Sequence, residues 1–260
     1  MAIRRSHSAT RSLLRLARAV GFASLVAAPF SASSAQVAAG HGFLLGAPDG
    51  SITFRGGWAL ASASSDIFSF TTDNLTVNRG DFSSPAWGAD LAFNIASRTQ
   101  VVISSGYGGM HKRSEFRHFI DNNQQPIEQN TAFVRIPVSA SVKQYLTPRG
   151  RSVGRLAWIP ARFAAYVGAG AGATWYEFKQ NGDFIDFTDN SVFPSTLQSD
   201  GWAPSAHVFV GGEWSLTARL SAVTEARYER SHATLSTDFT GFGPIDLSGF
   251  TTTAGLAVRF

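Results

Sequence analysis

From about residue 50 to the C terminus, apolar and polar residues alternate with period two in segment after segment, the signature of strands with two unlike faces. In the first segment Ile52, Phe54, Trp58 and Leu60 fall on one face, with Thr53, Arg55 and Gly57 on the other. Trp87, Ala89, Leu91, Phe93 and Ile95 alternate with Gly88, Asp90, Ala92 and Asn94. A third segment, Thr99 to about Met110, blurs where Val101, Val102 and Ile103 run together. Val134, Ile136, Val138, Ala140 and Val142 oppose Arg135, Ser139, Ser141 and Lys143. The fifth segment, Arg162 to Phe178, sets Phe163, Ala165, Val167, Ala169, Ala171, Ala173 and Trp175 against Tyr166, Gly168, Gly170, Gly172 and Thr174. Two more follow: Ala206, Val208, Val210, Trp214 and Leu216 against His207, Gly211 and Glu213, then Leu220, Ala222, Ala226 and Tyr228 against Glu225, Arg227 and Glu229. In the eighth, Phe250, Thr252, Ala254, Leu256, Val258 and Phe260 oppose Leu247, Gly249, Thr251, Thr253, Gly255, Ala257 and Arg259.

A greasy face opposite one that carries Arg and Glu suits lipid outside and a polar lumen inside. The pattern therefore predicts an all-β fold, an eight-stranded antiparallel up-and-down transmembrane β-barrel with four long extracellular loops. The links agree. Residues 62–84, 111–130, 179–201 and 233–245 are long, whereas Ala96-Ser97-Arg98 and the turn around Thr217-Ala218 are tight. The fourth link, Thr147 to Pro160, is long for a turn on the short side, and its Pro-Arg-Gly-Arg and Ile-Pro sequences read as an ordered excursion. Trp58, Trp87, Tyr107, Tyr145, Trp175, Trp202, Trp214, Tyr228 and Phe260 fall near strand ends, where a headgroup girdle needs them. A soluble periplasmic barrel would invert every inside–outside assignment and use its aromatics to fill a ligand cavity.

The first 35 residues read as a secretory signal peptide. Arg4, Arg5, Arg11, Arg15 and Arg18 form a basic start, Ala19–Phe30 is uncharged and mostly apolar, and Ser33-Ser34-Ala35 offers a cleavage site. Residues 36–50 then form a short periplasmic tail and residues 51–260 the barrel, so the expected location is the bacterial outer membrane after export. Removing the signal changes the electrostatics. The 22 Lys plus Arg fall to 17 against 18 Asp plus Glu, so the basic balance belongs to the signal and no nucleic-acid partner is implied. There is no cysteine, and no apolar run after residue 35 reaches the ~20 residues of a membrane helix.

By parity the lumen receives Arg55, Asp90, Arg135, Lys143, Arg162, Glu213, Glu225, Arg227, Glu229 and Arg259, six bases against four acids. In a barrel just wide enough for its own side chains, this set reads as an ion-paired plug. The other reading is a narrow channel or hydrophobic-ligand conduit opened by rearranging the pairs. Gly168, Gly170 and Gly172 lack the turn and helix of a phosphate cradle and instead leave room for long neighbours. Ser205, His207 and Glu213 share a face, but His207 and Glu213 lie six residues apart, roughly 20 Å at ~3.3 Å per residue, too far for a triad. His111, Glu115 and His118 have helical spacing without any helix-start signal, and His41 and His232 stand alone. No catalytic, cofactor or metal site is expected; a lipid-modifying enzyme is the remaining catalytic reading. The long links carry Ile67, Phe68, Phe70, Phe184, Ile185, Phe187, Phe193, Phe239 and Phe242 among acidic residues. They either build a site for an extracellular partner or apolar ligand, or pack on one another.

With the signal, the alternation and the final Ala257-Val258-Arg259-Phe260 in place, the chain resembles small bacterial outer-membrane β-barrels. The superfamily is that of OmpA-type transmembrane domains and opacity-type barrels, and the resemblance covers about residues 50–260. Segments such as Ser65–Asp73 and Glu225-Ala226-Arg227-Tyr228 contribute to it. It implies outer-membrane lipid as a partner and recognition of the C-terminal strand, through Phe260 as assembly signal, by the barrel-assembly machinery. It transfers no catalytic motif. The pattern departs from full-length OmpA-like proteins in lacking a peptidoglycan-binding domain, so no envelope-tethering role is implied.

Overall fold

The computed structural model describes residues 42–121, 124–154, 156–186 and 191–260. Residues 1–35, expected to be a signal peptide, and residues 36–41 of the expected tail lie outside the described residues.

Eight strands close into one antiparallel ring. They are β2 (Gly50–Ala61), β3 (Ser84–Ala96), β4 (Thr99–Ile120), β5 (Pro126–Tyr145), β8 (Phe163–Ile185), β9 (Val192–Ser215), β10 (Leu220–Ala233) and β12 (Gly249–Arg259). Each pairs with its neighbours in sequence order, and β12 returns to β2 through rungs such as Val258–Ile52 and Phe250–Leu60. Closure leaves no edge, the condition for crossing lipid with strands. The chain is a transmembrane β-barrel. Its outer surface carries Ile52, Phe54, Ile103, Val138, Val142, Val208, Val210 and Leu256 exposed. Trp58, Trp87, Tyr107, Trp202 and Tyr228 ring one end, and Trp214, Phe163 and Phe260 mark the other. Among the described residues no helix is long and apolar enough to cross a membrane.

Two of the four long links are partly paired strand. β4 and β5 pair out to Ile120–Pro126, with an irregularity beyond Glu115–Glu128, and β8 and β9 out to Ile185–Val192. These strands run 20 to 24 residues, against 12 in β2 and 11 in β12, so one side of the barrel rises well beyond the girdle. His111 and His118 therefore lie on a strand, both exposed.

The β4–β5 ladder has one interruption inside the girdle. Rungs join Ser105 to Val138 and Gly108 to Arg135, but Gly106 and Tyr107 are not paired with Ile136 and Pro137. Proline has no N–H to give, so both rungs that depend on it are lost.

The remaining elements close the two ends. At the long-link end, residues 62–83 carry helix α1 (Asp66–Asn74) and a 3-10 turn (Arg79–Phe82). Ile67, Phe68 and Thr71, one face of α1, are buried, and the Thr71 hydroxyl donates to the Ile67 carbonyl at 2.7 Å. At the short-link end, the Thr147–Pro160 excursion is ordered. β6 (Gly150–Val153) and β7 (Ala157–Pro160) form a hairpin, and β1 (Leu44–Leu45) adds to it in the order β1-β7-β6.

Candidate functional site: the charged lumen

Strand β8 is bare on its inner face. Gly168, Gly170 and Gly172 each sit in a row between one residue of β5 and one of β9. The rows are Lys143–Gly168–Phe209, Ser141–Gly170–His207 and Ser139–Gly172–Ser205. With no side chain between them, partners from strands on either side of β8 meet. Ser141 Oγ and His207 Nε2 lie 2.8 Å apart, and a methyl on Gly170 would stand 2.6 Å from that hydroxyl.

At the short-link end, Glu213 is the hub. It accepts from the Tyr145 hydroxyl at 2.7 Å, from Ser221 at 2.9 Å, and from Arg259 Nη2 at 2.5 Å and Nε at 3.1 Å. Arg259 also donates to Ser215 Oγ (2.9 Å) and to the Ala218 carbonyl (3.3 Å). Below this layer Trp158 of β7 lies 5.7 Å from the Arg259 guanidinium, and Arg149 lies 4.7 Å from the Tyr145 ring centre. The small sheet thus seats a tryptophan, only 6% exposed, against the floor of the barrel.

The middle layer holds the second hub, Glu225. Arg55 bridges it to Asp90, the latter at 2.9 Å, and Arg227 binds Glu225 at 3.0 Å. Tyr166 donates to Glu225 at 3.2 Å, Lys143 stands 4.5 Å over the Tyr166 ring, and Arg227 stands 5.1 Å over Phe209. Lys143 makes no ion pair among the described residues. Above lies a cavity of about 80 Å³, large enough for a few waters, whose lining joins Arg55, Arg135, Glu225, Arg227 and Glu229 to apolar residues such as Trp87 and Pro137. Ser104 Oγ, buried and without a protein partner, borders it. Arg135 donates to the Leu247 carbonyl at 3.0 Å, and Glu229 accepts from Thr174 at 2.5 Å.

An apolar cluster lies on the long-link side of the cavity. Phe68 of α1, fully buried, meets Phe82, Phe133 and Phe178 edge to face with centroids 4.7, 5.3 and 5.7 Å away. Ile67, Leu75, Val77, Phe239, Ile245 and Leu247 complete it. A clasp between the first and last links holds it down. Asp246, in the short strand β11 (Ile245–Asp246), accepts from Ser64 Oγ at 2.5 Å and from the Ser248 N–H at 2.9 Å; Asp66 accepts from the Gly243 N–H at 2.8 Å. Burial pushes the Asp246 carboxyl up, but the hydrogen bonds from Ser64 and Ser248 outweigh it and hold the group below its ordinary value. Phe184 and Phe193 stack on each other at 6.2 Å, and Phe70 packs on Phe242 at 5.4 Å. Phe187 lies outside the described residues.

Nine of the ten charged residues expected in the lumen are placed there: Arg55, Asp90, Arg135, Lys143, Glu213, Glu225, Arg227, Glu229 and Arg259. Arg162 is not. β8 begins one residue later, at Phe163, and Arg162 stands exposed on the bend before it. Its place in the charge balance is taken by Arg149, buried at 7% exposure with Nη1 on Asn94 at 2.5 Å. Parity could not find Arg149, because it comes from the excursion rather than a strand. Tyr145, expected in the girdle, is 2% exposed inside, as its parity with Lys143 requires. Ser205 has no side-chain partner, His207 bonds Ser141 instead, and Glu213 belongs to the floor; the three do not converge. Among the described residues no metal-binding group of three or more side chains gathers.

No protein-family model and no curated relative matches the sequence. Solved structures similar to it include bacterial outer-membrane proteins. The outer membrane protein OprG from Pseudomonas aeruginosa is 13% identical, with a TM-score of 0.45, over 84% of this chain and 99% of its own. Neisserial surface protein A is 12% identical, with a TM-score of 0.43, over 81% and 96%. The attachment invasion locus protein of Yersinia pestis is 13% identical, with a TM-score of 0.38, over 82% and 99%. The barrel assignment rests on this chain's own closed ladder.

Proposed function

We propose that the chain is an outer-membrane barrel that displays a rigid, non-conducting platform and works through its outer surfaces rather than by transport or catalysis. The observation that carries this is the stacking of three closures in one lumen: the Phe68 stopper, the Glu225 and Glu213 hubs, and the Trp158 floor. Ions would have to break buried pairs, each costing several kcal/mol. The loop aromatics support the same reading, since most are spent packing on one another. The buried Ser141–His207 pair has no route to a substrate and no third group on His207 Nδ1. C-terminal recognition through Phe260 and export by residues 1–35 belong to this proposal.

The test is planar-bilayer recording on the refolded chain, together with turnover assays on lipid A and phospholipid. A silent membrane and no product are expected. A stable conductance abolished by Arg135→Ala or Glu225→Ala would overturn the sealed reading in favour of a channel.

A further inference from the structure

The short-link end of the barrel has a charge pattern that the lumen does not explain. Arg98, Arg162 and Arg219 each immediately precede a strand that rises from this end, β4, β8 and β10. All three are exposed. Their backbones are fixed, because each carbonyl accepts the terminal ladder bond from a neighbouring strand: Arg98 from the Tyr145 N–H (2.8 Å), Arg162 from Ser215 (3.0 Å) and Arg219 from Arg259 (2.8 Å). Their guanidinium groups make no ion pair or hydrogen bond with any described residue. Exposed Arg151 adds a fourth cation, and among the described residues the exposed acid at this end is Asp49. The opposite end holds both signs, the acids Asp66, Asp73, Asp81, Glu115, Glu128, Glu177, Asp183 and Asp200 and the cations Arg79, Lys112, Arg113, Arg117, Lys179 and Arg230.

Each rim arginine also adjoins the apolar belt. Ile95 (63% exposed) lies three residues before Arg98, Phe163 follows Arg162 and packs at a tilt on Trp214 with centroids 4.8 Å apart, and Leu216 (58% exposed) lies three residues before Arg219. Unpaired guanidinium groups on rigid backbone where an apolar wall ends would meet lipid phosphates wherever that wall spans the hydrocarbon. Arginine also offers phosphate two parallel donors. A soluble acidic polymer would account for the charge but not for its place at the belt.

We propose that Arg98, Arg162 and Arg219 form a ring of headgroup sites that hold anionic phospholipids of the adjoining leaflet against the strand ends. This rests on the membrane-barrel reading and needs only that the belt lie in a bilayer.

The test is electron spin resonance of spin-labelled phosphatidylglycerol and phosphatidylcholine around the chain refolded in phosphatidylcholine bilayers. One cation near a headgroup corresponds to about a fivefold preference, which salt screens. Phosphatidylglycerol should therefore be favoured several-fold at low salt. The preference should vanish in Arg98→Gln/Arg162→Gln/Arg219→Gln and survive in Lys112→Gln/Arg113→Gln/Arg117→Gln at the other end. A motionally restricted lipid component with no headgroup preference, or a preference retained by the rim triple variant, overturns the proposal. Absence of any restricted component would instead sink the membrane-barrel reading. Loss of binding to isolated cell-wall sacculi in the rim variant, with lipid preference unchanged, would replace lipid with an acidic wall polymer.

Discussion

Replacing Gly170 with alanine should unseat the lumen, and the structure sets the size of the effect. The added methyl would strike the Ala140 carbonyl oxygen, and would stand 2.8 Å from Ser141 Cα and 2.6 Å from Ser141 Oγ. Two of these are backbone atoms of a paired strand, so relief requires moving the β5–β8 ladder. Overpacking of this kind costs about 1–3 kcal/mol, and loss of the Ser141–His207 hydrogen bond adds about 1 kcal/mol. The gain from replacing glycine in a strand is smaller, roughly 0.5–1 kcal/mol. The net expectation is a loss of about 1–3 kcal/mol. Gly201 supplies the control, an inward glycine on β9 whose added methyl would meet only the Tyr176 ring at 3.8 Å. Gly201→Ala should be neutral or slightly stabilising. Urea titrations of both variants refolded in lipid vesicles, read by tryptophan fluorescence and by the mobility shift on unheated gels, compare them directly. Equal midpoints for the two variants would refute the idea that β8 is bare so that β5 and β9 can touch.

Three further outcomes follow from the layers. Arg259→Met leaves Glu213 buried at the floor without its cation and should cost about 3–5 kcal/mol in the same titration; adding Glu213→Gln should recover most of it, and a double variant as weak as the single would refute the pairing. Phe68→Ala removes a fully buried ring, a change that costs about 3–5 kcal/mol locally, and should expose residues 62–83 to protease while the bilayer stays silent, because the charged layers remain. Asp246 has a depressed native value, so its stabilisation is present above its unfolded value near 3.8 and is lost as pH falls through the lower native one. Pepsin should therefore begin to cut the first link of the wild type below about pH 3.8, whereas Asp246→Asn should be cut equally at pH 3 and pH 5, and identical pH profiles for the two would count against the clasp.

The wall was legible because a strand repeats every two residues: once Arg135 and Lys143 face inward, so must Tyr145, and the error there came from reading its aromatic ring as girdle against its own parity. Strand ends were less legible. Arg162 fails by a single residue, since the phase says which side a residue would take but not where pairing stops. The β4–β5 and β8–β9 extensions were hidden because beyond the membrane neither face is greasy, and residues such as Asn130 and Asn181 pair without alternation. Helix α1 has nine residues, held by three buried side chains against partners from β5 and β8, so its cause lies far away in sequence. Arg149 and Trp158 reach the floor from the excursion, and the alternation along the strands cannot place them.

The rungs between β2 and β12 set an order of events. They join residues about two hundred positions apart, as in Ile52–Val258, and until they form a sheet of eight strands still has two raw margins. In hydrocarbon every unmatched N–H or carbonyl on those margins costs several kcal/mol. A half-zipped barrel is therefore no resting state within the bilayer. Insertion and closure must be one cooperative act, and a defect anywhere in the first or last strand should be felt as failure of the whole ring rather than as a locally frayed edge.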